Sequence, residues 1–194
     1  MKDTRKIAMT GMLAAIATVL MYLEFSVPLV PSFLKFDFSE LPALIGSFSM
    51  GPLYGVLICL VKNLLKLPST GTGGVGELAN FTLGAIFVCI AGFIYKRKKN
   101  RKNALIGALV GGVAMAVLSV PINYYMTYPV YTKFMPIEAI VGMYQAINPK
   151  VNGLLSCLIM FNVPFTFVKA MLCTLITMLI YKRISPLIKG NAIR

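Results

Sequence analysis

Residues 96–120 read KRKKNRKNALIGALVGGVAMAVLSV. Six cations crowd into Lys96–Lys102, and then Ala104–Val120 carries no charge at all. A helix rising about 1.5 Å per residue crosses the hydrocarbon of a bilayer in roughly 20 apolar residues. Continued to Tyr125, this run is long enough. The cations before it are the mark of a cytoplasmic loop, where Lys and Arg accumulate. The rest of the chain agrees in composition: 58% of its 194 residues are apolar and 13% charged, against about 45–50% and about 25% in a soluble domain. So apolar a chain needs lipid as part of its solvent.

Working outward from this span, the same reading predicts an all-α integral membrane protein, a single domain over residues 1–194 with six membrane segments. Ile7–Glu24 is the first. Its basic start and the Ala15-Ile16-Ala17 triplet imitate a signal peptide, but the triplet falls inside the apolar run, so the segment reads as an uncleaved span. Phe25–Phe38 is a loop broken by Pro28 and Pro31. Ser39–Met50 is a short second helix with Ser39 as N-cap, and Gly51-Pro52 separates it from Leu53–Leu67. A Gly-rich loop, Pro68–Val75, leads to Gly76–Tyr95. After Ala104–Tyr125 comes a long connection, Thr127–Lys150, with a short helix near Ile137–Ala146. Val151–Ile184 is the last span, kinked at Pro164.

Charge sets the orientation. With both termini in the cytoplasm, thirteen Lys and Arg lie inside and four (Lys35, Lys66, Lys133 and Lys150) lie outside, as the positive-inside rule requires. Tyr95 and Tyr181, each followed by Lys-Arg, read as interfacial anchors, and Tyr124, Tyr125, Tyr128 and Tyr131 as an outer aromatic belt. The net charge of +13 therefore follows from topology. It forms no stripe along one helix face, which argues against nucleic acid. There is no His, which removes His-based metal sites and a Ser-His-Asp triad. The four cysteines sit in apolar runs and read as small apolar side chains. Gly71–Gly76 matches GxGxxG, but no strand precedes it, and no Walker A sequence is present. The chain reads as neither an enzyme nor an ATPase, and no cofactor is expected.

Three ionisable residues fall within apolar segments, where a charge costs about 2.5–3.5 kcal/mol at a helix centre. Lys62 reads as snorkelling outward with Lys66. Lys169 lies mid-span with Asn162 and Thr166 at i, i+4, i+7, so an amide, a hydroxyl and an ammonium share one face. That column serves either as glue between helices or as a polar ligand site. Glu77 and Asn80, at i, i+3, start the fourth segment, where the helix dipole favours a carboxylate. Asn123 lies at similar depth. These groups, with Phe81, Tyr124 and Phe165, predict an outward-opening cavity for a flat heterocycle. In the first helix Gly11 and Ala15, and likewise Ala14 and Thr18, are four apart, a spacing that lets another helix approach.

Lys35–Leu44, Gly51-Pro52, Lys62-Asn63, Gly76–Phe81 and Asn162–Lys169, in that order, resemble the riboflavin-specific S components of energy-coupling-factor (ECF) transporters. The resemblance covers nearly the whole chain. It implies a six-helix protein of the bacterial cell membrane that binds its vitamin outside and works with a membrane coupling protein and two ABC-type ATPases. It implies flavin contacts from Glu77, Asn80, Asn123, Asn162, Thr166 and Lys169, partner docking at Gly11 and Ala15, and closure of Phe25–Phe38 over bound substrate. The chain departs from the family at Thr166, where Asn is common and reaches further. Acceptance of flavin mononucleotide is left open. The alternatives are an S component for another vitamin, a stand-alone flavin permease or a membrane enzyme.

Overall fold

A computed structural model describes residues 3–189, with side-chain surroundings from Thr4 to Tyr181. Lys2 and Arg194, counted above for orientation, lie outside the described residues, as do the side chains of Lys182, Arg183 and Lys189. The chain is nearly all helix. In order it runs α1 (Asp3–Tyr22), strands β1 (Phe25–Ser26) and β2 (Lys35–Phe36), α2 (Glu40–Met50), α3 (Pro52–Lys66), α4 (Val75–Arg97), α5 (Arg101–Ile122), α6 (Tyr128–Tyr131), α7 (Ile137–Gln145), α8 (Leu154–Cys157) and α9 (Val163–Lys189). Among the described residues four runs are long and apolar enough to cross a membrane: Thr4–Tyr22, Val75–Arg97, Arg101–Tyr131 and Leu154–Tyr181. At 11 and 15 residues, α2 and α3 are shorter. Against the six membrane segments expected, four runs of spanning length are therefore shown among the described residues, and α2 and α3 fall short of that length.

The outward faces suit lipid. Ile7, Val19, Val117, Leu175 and Leu179 are all more than half exposed, a cost in water but none in hydrocarbon. The core lies between α1, α2, α3, α4, α5 and α9, where Leu44, Ile58, Phe87, Val88 and Ala170 are fully or almost fully enclosed. Small residues set the closest approach. A Cβ on Gly107 would lie 2.7 Å from the Ala91 carbonyl oxygen, and one on Gly111 would lie 2.7 Å from that of Phe87. These two glycines, four apart, seat α5 directly on the backbone of α4.

Two prolines reshape the long helices in the same way. Pro129 and Pro164 lack an N–H, and in a regular helix their rings would strike the carbonyls of Tyr125 and Met160. Each of those carbonyls falls within a π-type wide turn, Asn123–Thr127 and Leu158–Asn162. The kink expected at Pro164 therefore takes the form of a widened turn just before it.

Several expectations need correction. Ser39 makes no side-chain cap to α2; its hydroxyl accepts a short hydrogen bond from Lys62. Lys62 does not snorkel. It is fully buried, because a carboxylate is available inside. Tyr95 is no interfacial anchor. It is buried between Phe48 and Tyr181, with ring centroids 4.8 and 6.3 Å away. Of the outer belt, Tyr124 and Tyr125 are exposed, but Tyr128 turns inward and is enclosed. Phe25–Phe38 is more ordered than a plain loop: β1 and β2 pair antiparallel, Phe25 opposite Phe36, and form a strap across the mouth of the bundle.

Gly111→Leu should destabilise the protein by about 1–3 kcal/mol, the usual cost of overpacking, and lower its melting temperature in detergent. Gly11→Leu should not, since nothing lies within 4 Å of a Cβ there. Equal shifts would mean that the α4–α5 contact is not the tight one.

Candidate ligand-binding site

Two lysines and two carboxylates are buried together where the strap meets the bundle. Lys62 Nζ on α3 lies 2.9 Å from Glu40 Oε1, with both side chains wholly enclosed. Lys169 Nζ on α9 lies 2.8 Å from Asp37 Oδ2 and 3.2 Å from Glu40 Oε2. The Ser39 amide donates to Asp37 Oδ1 at 2.8 Å. Two positive and two negative charges thus neutralise each other out of water. Burial alone would raise the Asp37 carboxyl, but the Lys169 and Lys62 ammoniums and the hydrogen bonds from Lys169 and Ser39 prevail, holding it at about 2. Glu40 therefore bridges two lysines, and Asp37 fastens the strap to α9.

Next to this quartet opens a cavity of about 620 Å³. Glu77, Asn80, Asn123, Asn162, Thr166 and Lys169 all line it. Their immediate partners differ. Glu77, in the first turn of α4, accepts from the Thr70 hydroxyl at 2.8 Å and the Thr72 hydroxyl at 3.1 Å. Those hydroxyls also take backbone N–H groups of Thr72, Gly74 and Gly76, so the Gly-rich loop is built around the carboxylate. Asn123 donates to the Ser119 carbonyl at 2.7 Å, which leaves its own carbonyl uncommitted there. Asn162 Oδ1 accepts from Tyr144 at 2.8 Å, and Tyr144 shares a 2.6 Å hydrogen bond with Tyr128. Burial keeps the Tyr144 phenol well above its usual range, so it stays a donor and leaves the Asn162 NH₂ for the cavity. The carbonyl oxygen of Asn80 and the hydroxyl of Thr127 are buried with no hydrogen-bond partner, and both residues line the cavity. Buried polar atoms are seldom left unpaired, so these two mark the least satisfied part of the cavity wall.

Asn123 opens one wide turn and Asn162 closes the other. A wide turn carries one residue more than a regular one, which re-aims the side chains it holds. The proline-driven distortion and two of the polar groups therefore coincide.

The walls depart from expectation in part. Of the three aromatic neighbours predicted, Phe165 lines the cavity, whereas Phe81 packs against the core and Tyr124 faces outward. Phe33, Tyr128, Tyr131 and Phe134 line it in their place, together with Leu83 and Met115. Sequence reasoning also missed Asp37 in the wall and Glu24, Lys35 and Lys66 at the rim. A signal existed: two lysines within apolar segments need carboxylate partners, and the chain has only six acids. On α1, Gly11 and Ala15 lie on the exposed face while Ala14 is buried against the bundle. The two four-residue spacings thus form adjacent stripes, one exposed and the other turned toward the bundle.

An apolar helical bundle with a polar-studded cavity beside the strap defines a membrane protein that binds a small molecule. The chain belongs to the substrate-specific component family of ECF transporters, whose family model matches residues 5–181. It is 31% identical over 189 residues to "Riboflavin transporter RibU" of Staphylococcus aureus (strain TCH60), covering 97% of this chain and 95% of that protein. It is also 31% identical to "Riboflavin transporter FmnP" of Bacillus subtilis (strain 168), over 95% and 94% of the two chains. A solved structure of the S component of a bacterial ECF transporter superposes with a TM-score of 0.76 at 31% identity, over 97% of this chain and 99% of that one. The protein is a transporter component and not an enzyme.

Lys62→Met leaves Asp37 and Glu40 to share Lys169 alone, one negative charge uncompensated inside the bundle, and should cost about 3–5 kcal/mol. Adding Glu40→Gln should recover part of it, measured as coupling in a double-mutant cycle of thermal stability. The contribution of ionised Asp37 is complete above its unfolded pKa of about 3.9 and falls away as pH drops through about 2. Stability should therefore be insensitive to this group from pH 8 to 5, and Asp37→Asn should flatten only the acid limb below roughly pH 4.

Proposed function

We propose that this chain captures riboflavin outside a bacterial cell membrane and hands it inward as the S component of an ECF transporter. The observation that carries this is the cavity of about 620 Å³, a size suited to a small-molecule ligand, which joins aromatic and apolar walls to six polar groups. A flavin ring is flat and apolar on its faces. Its edge offers carbonyl acceptors and an imide donor, and its ribityl chain offers hydroxyls. Lys169 and the Asn162 NH₂ supply donors, and the Asn123 carbonyl supplies an acceptor. Relatives that bear the name riboflavin transporter over almost the full length support the ligand.

In this reading the single membrane domain crosses six times, α2 and α3 being the short members, with N- and C-termini in the cytoplasm and the strap outside. Charge distribution supports that orientation. The strap closes over bound vitamin. A membrane coupling protein and two ABC-type ATPases supply the energy, in keeping with the lack of a Walker A motif in this sequence, and the exposed Gly11 and Ala15 face receives the coupling protein. Another vitamin, or transport without a coupling module, is the competing reading. Uptake of flavin in cells lacking every ECF module would favour the second.

The test is titration of purified, ligand-stripped protein with riboflavin, followed by flavin fluorescence. Saturable quenching at one flavin per chain is expected, and a protein that ignores riboflavin contradicts the substrate. Lys169→Met, combined with Asp37→Asn so that no carboxylate is left stranded, should weaken binding roughly 10- to 150-fold relative to Asp37→Asn alone, the worth of one charge-assisted hydrogen bond. Gly11→Leu and Ala15→Leu should retain binding in detergent but block uptake by cells; loss of both would place that face inside the protein's own fold.

A further inference from the structure

The rim of the cavity holds an arrangement that the binding groups do not use. Glu24, just past the end of α1, points one carboxylate oxygen at two ammoniums. Its Oε1 lies 2.9 Å from Lys35 Nζ on β2 and 3.4 Å from Lys66 Nζ at the end of α3. All three residues line the cavity. Lys66 is further held over the Tyr22 ring, 4.2 Å from its centroid, and the Tyr22 hydroxyl is 2.9 Å from that of Ser69. Two lysines converging on one oxygen from separate elements make an anion clamp. In this chain the anion is supplied by the chain itself.

We infer that Glu24 is a specificity-determining residue: it fills the two-lysine clamp at the mouth and so selects ligands whose outer end is uncharged over phosphorylated ones. The inference rests on the flavin reading. A phosphate monoester carries about −1.5 to −2 charges at neutral pH and cannot be buried beside Lys169, whose charge Asp37 and Glu40 already balance. It would have to sit at the rim, with the ribityl chain directed outward. There it would meet Lys35 and Lys66 already paired with Glu24, which offsets one of their two charges, with Glu77 adding a second carboxylate to the same cavity lining. Lys35 and Lys66 against Glu24 and Glu77 leave the rim without net charge. A neutral hydroxyl loses nothing in that setting. A phosphate must expel Glu24 from the clamp and hold it nearby against like-charge repulsion.

Glu24 is also placed for this role without holding up the fold. Its side chain is about a quarter exposed and takes no part in the buried quartet. Converting it to an amide removes the competing charge, keeps the shape, and frees both lysines for charge-assisted hydrogen bonds to phosphate oxygens.

The experiment compares wild type, Glu24→Gln and Glu24→Gln/Lys35→Met, each purified and titrated with riboflavin and with riboflavin 5′-phosphate at low and high salt. The readout is the ratio of the two Kd values, which a general loss of affinity or of fold does not shift. The wild type should favour riboflavin. Glu24→Gln should move the ratio toward the phosphate ester by about tenfold or more, the effect of one additional charge-assisted hydrogen bond, and Lys35→Met should take back most of that change. The shift should shrink at high salt, since the rim is solvated. Glu24→Ala provides the same comparison should the amide retain a bond to either lysine. A ratio that is the same in wild type and both Glu24 variants overturns the inference while leaving the flavin reading intact. A wild type that binds neither compound overturns the flavin reading and the inference with it.

Discussion

Two ammonium groups inside an apolar bundle impose the constraint on which the rest depends. Lys62 cannot be hydrated where it lies, Lys169 meets water only on its cavity side, and neither reaches the outer surface. Each must therefore meet a carboxylate, and the fold brings two, Asp37 and Glu40, from the segment joining the strap to α2. The resulting quartet ties together the strap, α2, α3 and α9. Such a cluster is a poor source of net stability, because desolvation offsets most of the attraction. Its value lies in uniqueness: a register shift in any of the four elements would strand a charge. Lys169 stands at its edge, paired on one side and lining the cavity on the other. In the flavin reading, the ammonium offered to the ligand is thereby held in place before the ligand arrives, and little ordering remains to be done on binding.

The second constraint comes from two prolines. Pro129 and Pro164 force wide turns into long helices that neighbouring segments hold in place. In lipid, such irregular backbone is tolerated where it is enclosed by protein or lines a cavity. Here Asn123, Thr127 and Asn162 fall within the wide turns and all line the cavity. The distortion and the polar lining are two consequences of one placement. The Tyr128–Tyr144–Asn162 hydrogen-bond chain then orients the amide that the wide turn presents.

Much of this was legible in the residues. Long charge-free runs and basic flanks mark the spans, because the bilayer thickness and the cost of burying charge act locally in sequence. The i, i+4, i+7 column Asn162, Thr166 and Lys169 was readable for the same reason: it lies on one helix. Other features depend on which distant segments meet. Glu40 and Lys62 are 22 positions apart, and Asp37 and Lys169 are 132 apart, so Lys62 read as an outward-reaching cation. The tyrosines from 124 to 131 read as one belt because helical spacing ignores the wide turn that swings Tyr128 inward. The scarcity of acids could have revealed the ion pairs, since two buried lysines had few partners to choose from.

In the flavin reading, a flat ligand lies in the cavity against Lys169 while the buried ion pairs stay intact. A structure determined with riboflavin bound tests this most directly. The ring should lie between the apolar walls, with Lys169 Nζ and the Asn162 NH₂ within about 3.2 Å of ring acceptors and Lys169 still paired with Asp37. A flavin seated away from Lys169, or a lysine whose pairing with Asp37 and Glu40 has been broken to accommodate it, would contradict that reading.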